Sequence, residues 1–284
     1  MDIQRYRHPI KFYFFSAAIP WVFWAIAAYL SRLENSEDYL LQIGALGLIG
    51  LCAPIFVAAY FFLKDPQLLE DVKSRFFNFG ESKRVYWVIT LFLMPASILV
   101  AMAISLVFGH GIDQFVITGN VSFTSGLFPA WFFLLAAPFL EELAWHSYGT
   151  DCLRRRFNLF NTSLIFSVYW ALWHAPLAFI EGYFHSNLVL EGLLYNLNFI
   201  VSLFALVFLM NWLYYKTDRN ILVVIILHAS ANFFNEVFAT HPDSKVIQTG
   251  LLLALCIVVI YRERDMFFSL ESKGLEPLAS GIRH

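Results

Sequence analysis

The sequence predicts an all-α, polytopic membrane protein of about eight transmembrane helices. Three observations predict it. Charged residues make up 14% of the 284 positions and hydrophobic ones 59%, against about 25% charged in an average soluble domain. Eight segments approach the roughly 20 apolar residues that a helix needs to cross a bilayer. Seventeen of the nineteen Lys and Arg residues fall on alternate connections between those segments.

The length fits one membrane-embedded domain, residues 1–284, and neither an internal repeat nor a low-complexity tail is evident. Phe12–Leu30 follows Arg5, Arg7 and Lys11, as a signal peptide core would. It is long, aromatic-rich and without a small-x-small cleavage pattern, so it is read as a retained first span. The others are Tyr39–Leu63, Tyr86–Phe108, Leu127–Tyr148, Leu159–Ile180, Leu188–Tyr214, Ile221–Phe238 and Val246–Tyr261. Basic residues stand at the N-terminus, between Lys64 and Arg84, at Arg154–Arg156, at Lys216 and Arg219, and after Tyr261 through Lys273 to Arg283. Only Arg32 and Lys245 lie on the other connections. The positive-inside rule then places both termini in the cytoplasm.

In the loop Lys64–Val85, Pro66 can open a short helix with Leu68, Leu69, Val72, Phe76 and Phe77 on one face. An amphipathic connector is expected there, with a helix lying in the membrane interface as the alternative. Thr118–Gly126 reads as a plain polar loop. Cys52, Cys152 and Cys256 have no CxxC spacing and read as core thiols. The net charge of −2 identifies no partner. The bilayer is implied by hydropathy, and no nucleic-acid partner is expected.

Within this apolar background the pair Glu141-Glu142 stands out. One acidic residue at the centre of a span costs about 2.5–3.5 kcal/mol on insertion scales, and such residues face cavities or partners. Glu142 and His146 are one turn apart on the same face, as are His228 and Asn232. His174 ends the run Trp170-Ala-Leu-Trp-His174. At about 1.5 Å per residue these groups reach overlapping depths near the membrane centre. His8, His110, His185, His241 and His284 fall in loops or tails, and Glu191 and Glu236 near outer span ends, where they snorkel or line a rim.

A lone His or Asn in a span is commonly a contact between helices; two adjacent acids with several imidazoles are not explained that way. Three chemistries fit the set. A Glu beside His can be the general base for a water, with His and Asn donating to an oxyanion. Two His and a Glu suit zinc, with Glu141, His174 and His228 as the ligands, although no HExxH helix is present. Intramembrane Glu and His also build proton paths, but the paired inverted repeats of a transporter are not seen.

Glu141-Glu142-Leu-Ala-Trp-His146, Trp170-Ala-Leu-Trp-His174 and His228-Ala-Ser-Ala-Asn232 resemble, in order and spacing, the three motifs of the CPBP family. That family comprises the type II CAAX prenyl proteases and the bacterial bacteriocin-processing or abortive-infection (Abi) proteins. The matched core runs from about 127 to 238. The resemblance implies an intramembrane glutamate endopeptidase of a bacterial inner membrane, with a cavity open to the cytoplasm. Its substrate would be a membrane-associated, prenylated or CAAX-like peptide. On this likeness Glu141 activates water with help from His174, His228 and Asn232 stabilise the oxyanion, and Glu142 supports them, with His146 and Trp170 behind. No cofactor is expected, with zinc as the alternative. This chain departs from the family pattern at His146, where Arg is usual, and at Trp170, where Phe is commonest. The first departure leaves a second reading: a catalytically inactive relative acting as membrane scaffold or bacteriocin immunity protein.

Overall fold

The computed structural model describes residues 3–76, 84–119, 121–123 and 128–270. Phe77, Lys83, Asn120, residues 124–127, Lys273, Arg283 and His284 lie outside the described residues. The regular structure is helical, apart from one isolated antiparallel bridge between Ile117 and Phe238. The helices are α1 (Pro9–Ser31), α2 (Leu40–Lys64), α3 (Pro66–Phe76), α4 (Arg84–Ser105), α5 (Ala130–Ala144), α6 (Thr150–Arg154), α7 (Leu159–His174), α8 (Phe184–Glu191), α9 (Leu193–Lys216), α10 (Ile221–Glu236), α11 (Pro242–Arg262) and α12 (Arg264–Phe268).

Among the described residues five helices, α1, α2, α4, α9 and α11, are long and apolar enough to cross a membrane; α7 with α8 makes a sixth, bent by 86°. The other two predicted spans are helical but short: α5 has 15 residues and α10 has 16. These two carry the Glu pair and His228 with Asn232. α5 runs on through a π-turn, Trp145–Gly149, into α6. The fifth predicted span ends early. Pro176 has no N–H to continue the helix, and the chain leaves α7 at His174 through a 3-10 turn, Ala175–Phe179. The sixth begins late, because Gly192 at φ +116° separates α8 from α9, so residues 188–191 belong to α8. Asn158 and Asn220 set the starts of α7 and α10: their side chains accept from the N–H of Asn161 (2.8 Å) and of Leu222 (2.9 Å).

Lipid, unlike water, leaves apolar side chains free to face outward, and Phe14, Val22, Phe56, Phe92, Val100 and Ile257 do so. Inside, α1 lies along α2, and α10 packs against α5, α4 and α9. The α1–α2 approach is close because small residues face it: a Cβ on Gly50 would run into the Trp24 indole. Cys152 and Cys256 are buried free thiols and Cys52 is half-buried.

The connector after Lys64 does form a helix, α3, with Leu68 buried. Its inward face is not simply apolar, however, since Asp71 and Arg75 are buried with it. The reason is a polar knot where α3, α6, the segment of Tyr6 and the turn before α10 meet. Arg219 reaches Asp71 (3.0 Å) and Asp151 (2.5 Å), and Arg75 reaches Asp71 (2.9 Å) and Asp151 (3.1 Å). Tyr6 donates to Asp71 (2.5 Å) and Tyr215 to Asp151 (2.9 Å). Arg219 sits at φ +64°, a strained conformation for a residue with a Cβ, held by these ion pairs. Burial pushes the Asp151 carboxyl up, but the Arg219 and Arg75 guanidiniums outweigh it and hold the group below the usual carboxylate range.

Candidate active site

The π-turn is where the site begins. A π-turn adds a residue to an α-helix and leaves carbonyls without their usual partners. Here the carbonyl of His146 accepts from Arg75 Nη1 (3.2 Å) and Tyr214 Oη (2.7 Å), and that of Ser147 from Arg75 Nη2 (2.9 Å). The knot thereby fixes the segment that carries Trp145 and His146 beneath the Glu pair.

Glu141 and Glu142 are both buried and face different partners. Glu141 Oε2 accepts from the indole N–H of Trp170 (2.8 Å) and of Trp145 (3.3 Å). Its Oε1 makes no hydrogen bond among the described residues. Glu142 takes Nδ1 of His228 on Oε1 (2.8 Å) and Nδ1 of His146 on Oε2. The ring of His146 is closed on its other side by Asn211 Oδ1 (3.0 Å). That amide orientation follows from its neighbours: the Ser163 hydroxyl donates to Leu159 O (2.9 Å), so its oxygen accepts from Asn211 Nδ2 (2.9 Å). His174 Nδ1 donates to Trp170 O (2.7 Å), which leaves Nε2 with its lone pair. His185, a loop residue by the sequence reading, stacks on His174 with ring centres 5.0 Å apart.

Glu141, Trp170, His174, His228 and Asn232 line one cavity of about 230 Å³. Glu142 and His146 do not line it and stand behind it. Asn232 makes no hydrogen bond among the described residues and also borders a second cavity of about 220 Å³. Glu236 lines the first cavity and accepts from the Ser122 N–H (2.8 Å), so the described part of the 118–126 loop is tied down rather than free.

Besides the residues above, the lining of the first cavity comes from Gly47 of α2, Phe123, Tyr183 and Glu236. These lie toward the described parts of the connections 32–39, 109–129, 175–183 and 237–241, at the end of the bundle away from Tyr6, Arg75 and Arg219. A cavity that opens at that end faces away from the side that carries Arg75, Arg154 and Arg219.

Sequence reasoning missed four contributions. The indole of Trp170 is a donor to Glu141 and not only a wall. Trp145 is a second donor one turn from the same acid. Asn211 was legible as an amide in an apolar span, a placement that usually marks a contact between helices. The Arg75 contact had no sequence signal, since the loop that brings it to the π-turn is remote from every motif.

A family model for Rce1-like type II CAAX prenyl endopeptidases matches residues 123–234, the stretch that holds all three motifs. A protein named CAAX prenyl protease 2, from the archaeon Methanococcus maripaludis, is 33% identical over 270 residues, which is 94% of this chain and 98% of that one. Likeness at that level extends through the first three helices, where no motif lies, and so the chain belongs to the type II CAAX prenyl endopeptidase family.

Proposed function

We propose that this protein is a membrane-embedded endopeptidase of glutamate type, acting on prenylated, CAAX-like peptides. The observation that carries the reading is the setting of Glu141. Two indole donors hold one carboxylate oxygen, the other makes no hydrogen bond among the described residues, and the residue shares a cavity with His174, His228 and Asn232. Glu141 takes a proton from a water oriented by the free Nε2 of His174. The water oxygen bonds to the scissile carbonyl carbon, and the carbonyl oxygen becomes an oxyanion. It accepts from His228 Nε2–H and from the Asn232 amide, in the manner of an oxyanion hole. His228 carries its charge against Glu142. Protonated Glu141 then passes its proton to the leaving nitrogen as the C–N bond breaks. The test is proteolysis by purified protein of a farnesylated peptide ending in a CAAX box, against its unprenylated copy, with the cut mapped by mass spectrometry. Preferential cleavage of the prenylated form is expected; no cleavage of either overturns the reading.

The reading is metal-independent. Glu141, His174 and His228 have the right donor types for zinc, but they do not bring three ligand atoms within 4.8 Å of one another. Nδ1 of each imidazole is already committed to another partner. A zinc chelator should therefore leave the rate unchanged. Loss of the rate on chelation, with recovery on adding zinc, in both wild type and His110→Ala, would decide for a metalloprotease.

The distribution of basic residues supports cytoplasmic termini, which puts the mouth on the opposite face. In intact cells an impermeant maleimide should label Asp113→Cys, at the mouth, and spare Glu263→Cys. The reverse pattern turns the molecule over and opens the cavity to the cytoplasm.

A further inference from the structure

At the mouth end of the bundle, outside the cavity, lies a second cluster of chemistry-bearing side chains. His110 follows α4 after Gly109, at φ +89°, has turned the chain. His241 is the N-cap of α11 and Asp243 lies in its first turn. His110 Nε2 is 3.3 Å and His241 Nδ1 3.6 Å from Asp243 Oδ2, and the two rings are 4.2 Å apart between centres. Each residue offers one ligand atom, these lie within 4.8 Å of one another, and no other such group of three occurs among the described residues.

The approach of His241 Nδ1 to the Asp243 carboxylate is not itself a hydrogen bond, because 3.6 Å is too long for one. Two ligands about 2.0–2.1 Å from a tetrahedral zinc stand about 3.3–3.4 Å apart, close to both separations. The carboxylate is also oriented from behind, as a ligating carboxylate usually is: Asp243 Oδ1 accepts from Tyr195 Oη (2.9 Å). The side chains of His110, His241 and Asp243 are 22%, 46% and 42% exposed, which leaves a fourth position to water.

We propose that His110, His241 and Asp243 bind a divalent transition metal, zinc in the first instance. Two imidazoles and one carboxylate suit zinc, copper or nickel and not magnesium or calcium, which prefer all-oxygen shells. The metal joins the end of α4 to the start of α11. Through Asp243 it holds Tyr195, which lines the second cavity beside Asn232. It braces the mouth and takes no part in the hydrolysis. His241 Nδ1 accepts from the Asp243 N–H (3.2 Å) in the metal-free arrangement, and the metal replaces that contact if it uses the same nitrogen.

The test is a titration of tag-free, detergent-purified full-length protein with Co²⁺, read by its visible spectrum, and with Zn²⁺, read by thermal unfolding. Wild type should bind one ion per chain and unfold several degrees higher with Zn²⁺. His110→Ala should weaken binding at least tenfold. Asp243→Asn, which keeps the shape of the α11 start, guards against misfolding and should do the same. His174→Ala, in the cavity, should bind like wild type. Absence of a wild-type signal, equal signals in wild type and both clip variants, or loss of the signal in His174→Ala instead would each overturn the proposal. Binding is read without substrate, so failure of the protease reading would not imitate failure here.

Discussion

Glu141→Gln lowers proteolysis by roughly 10²–10⁴-fold, the usual contribution of a positioned general base, and leaves the protein folded. The amide keeps the shape of the carboxylate, and its oxygen can still accept from Trp145 and Trp170, so the packing of α5 survives. What is lost is the basic oxygen for the water proton. The measurement is kcat on the farnesylated peptide beside the melting temperature of the same preparation. A fall in kcat with KM and melting unchanged is expected. A variant as active as wild type would remove Glu141 from the chemistry, and a variant that is inactive only because it unfolds would leave the acid a structural role. Glu142→Gln should differ in kind, because both oxygens of Glu142 are taken by imidazoles and the residue stands behind the cavity. Its loss should disturb the placing of His228 and lower stability together with rate.

Much of this site was legible before any coordinates. The cost of carboxylates in a membrane singled out Glu141 and Glu142, and helical spacing paired Glu142 with His146 and His228 with Asn232. All eight predicted segments are helical. The errors fall where local pattern yields to tertiary structure. Hydropathy ran through Pro176 and Gly192, where the backbone breaks, and it could not distinguish a long span from the short α5 and α10. The π-turn at Trp145–Gly149 is invisible to periodicity, since one extra residue shifts the face without changing composition. Arg75 and Arg219 read as loop charges, and Asp71 and Asp151 drew no reading at all. Only the fold shows that these loops converge and that their charges are buried in pairs. Charge sorting reads the loops alone, whereas the side on which the cavity opens depends on which ends of α5, α7 and α10 carry the site.

The departure at His146 has the second large consequence. Nδ1 meets a carboxylate oxygen and Nε2 an amide oxygen, the pattern of an imidazolium donating from both nitrogens. We therefore expect His146 to supply Glu142 with a positive partner, the part that the Arg of the family pattern would imply here. The neighbouring guanidinium does not substitute for it, because Arg75 is spent on the His146 and Ser147 carbonyls and on Asp151. His146→Ala removes one of two donors from a buried carboxylate and opens space beside Asn211 and Tyr214. Breaking a buried pair in this way typically costs about 3–5 kcal/mol, read as lowered melting or as an equivalent loss of rate. His146→Arg, which offers Glu142 a positive partner again, should keep the activity that His146→Ala loses. A double-mutant cycle of His146→Ala with Glu142→Gln tests the pair directly: the second change should cost much less once the first is made. If His146→Ala is as stable and as active as wild type, the pairing is wrong. If the natural protein is inert on every peptide and His146→Arg switches it on, the chain is a non-proteolytic member of its family.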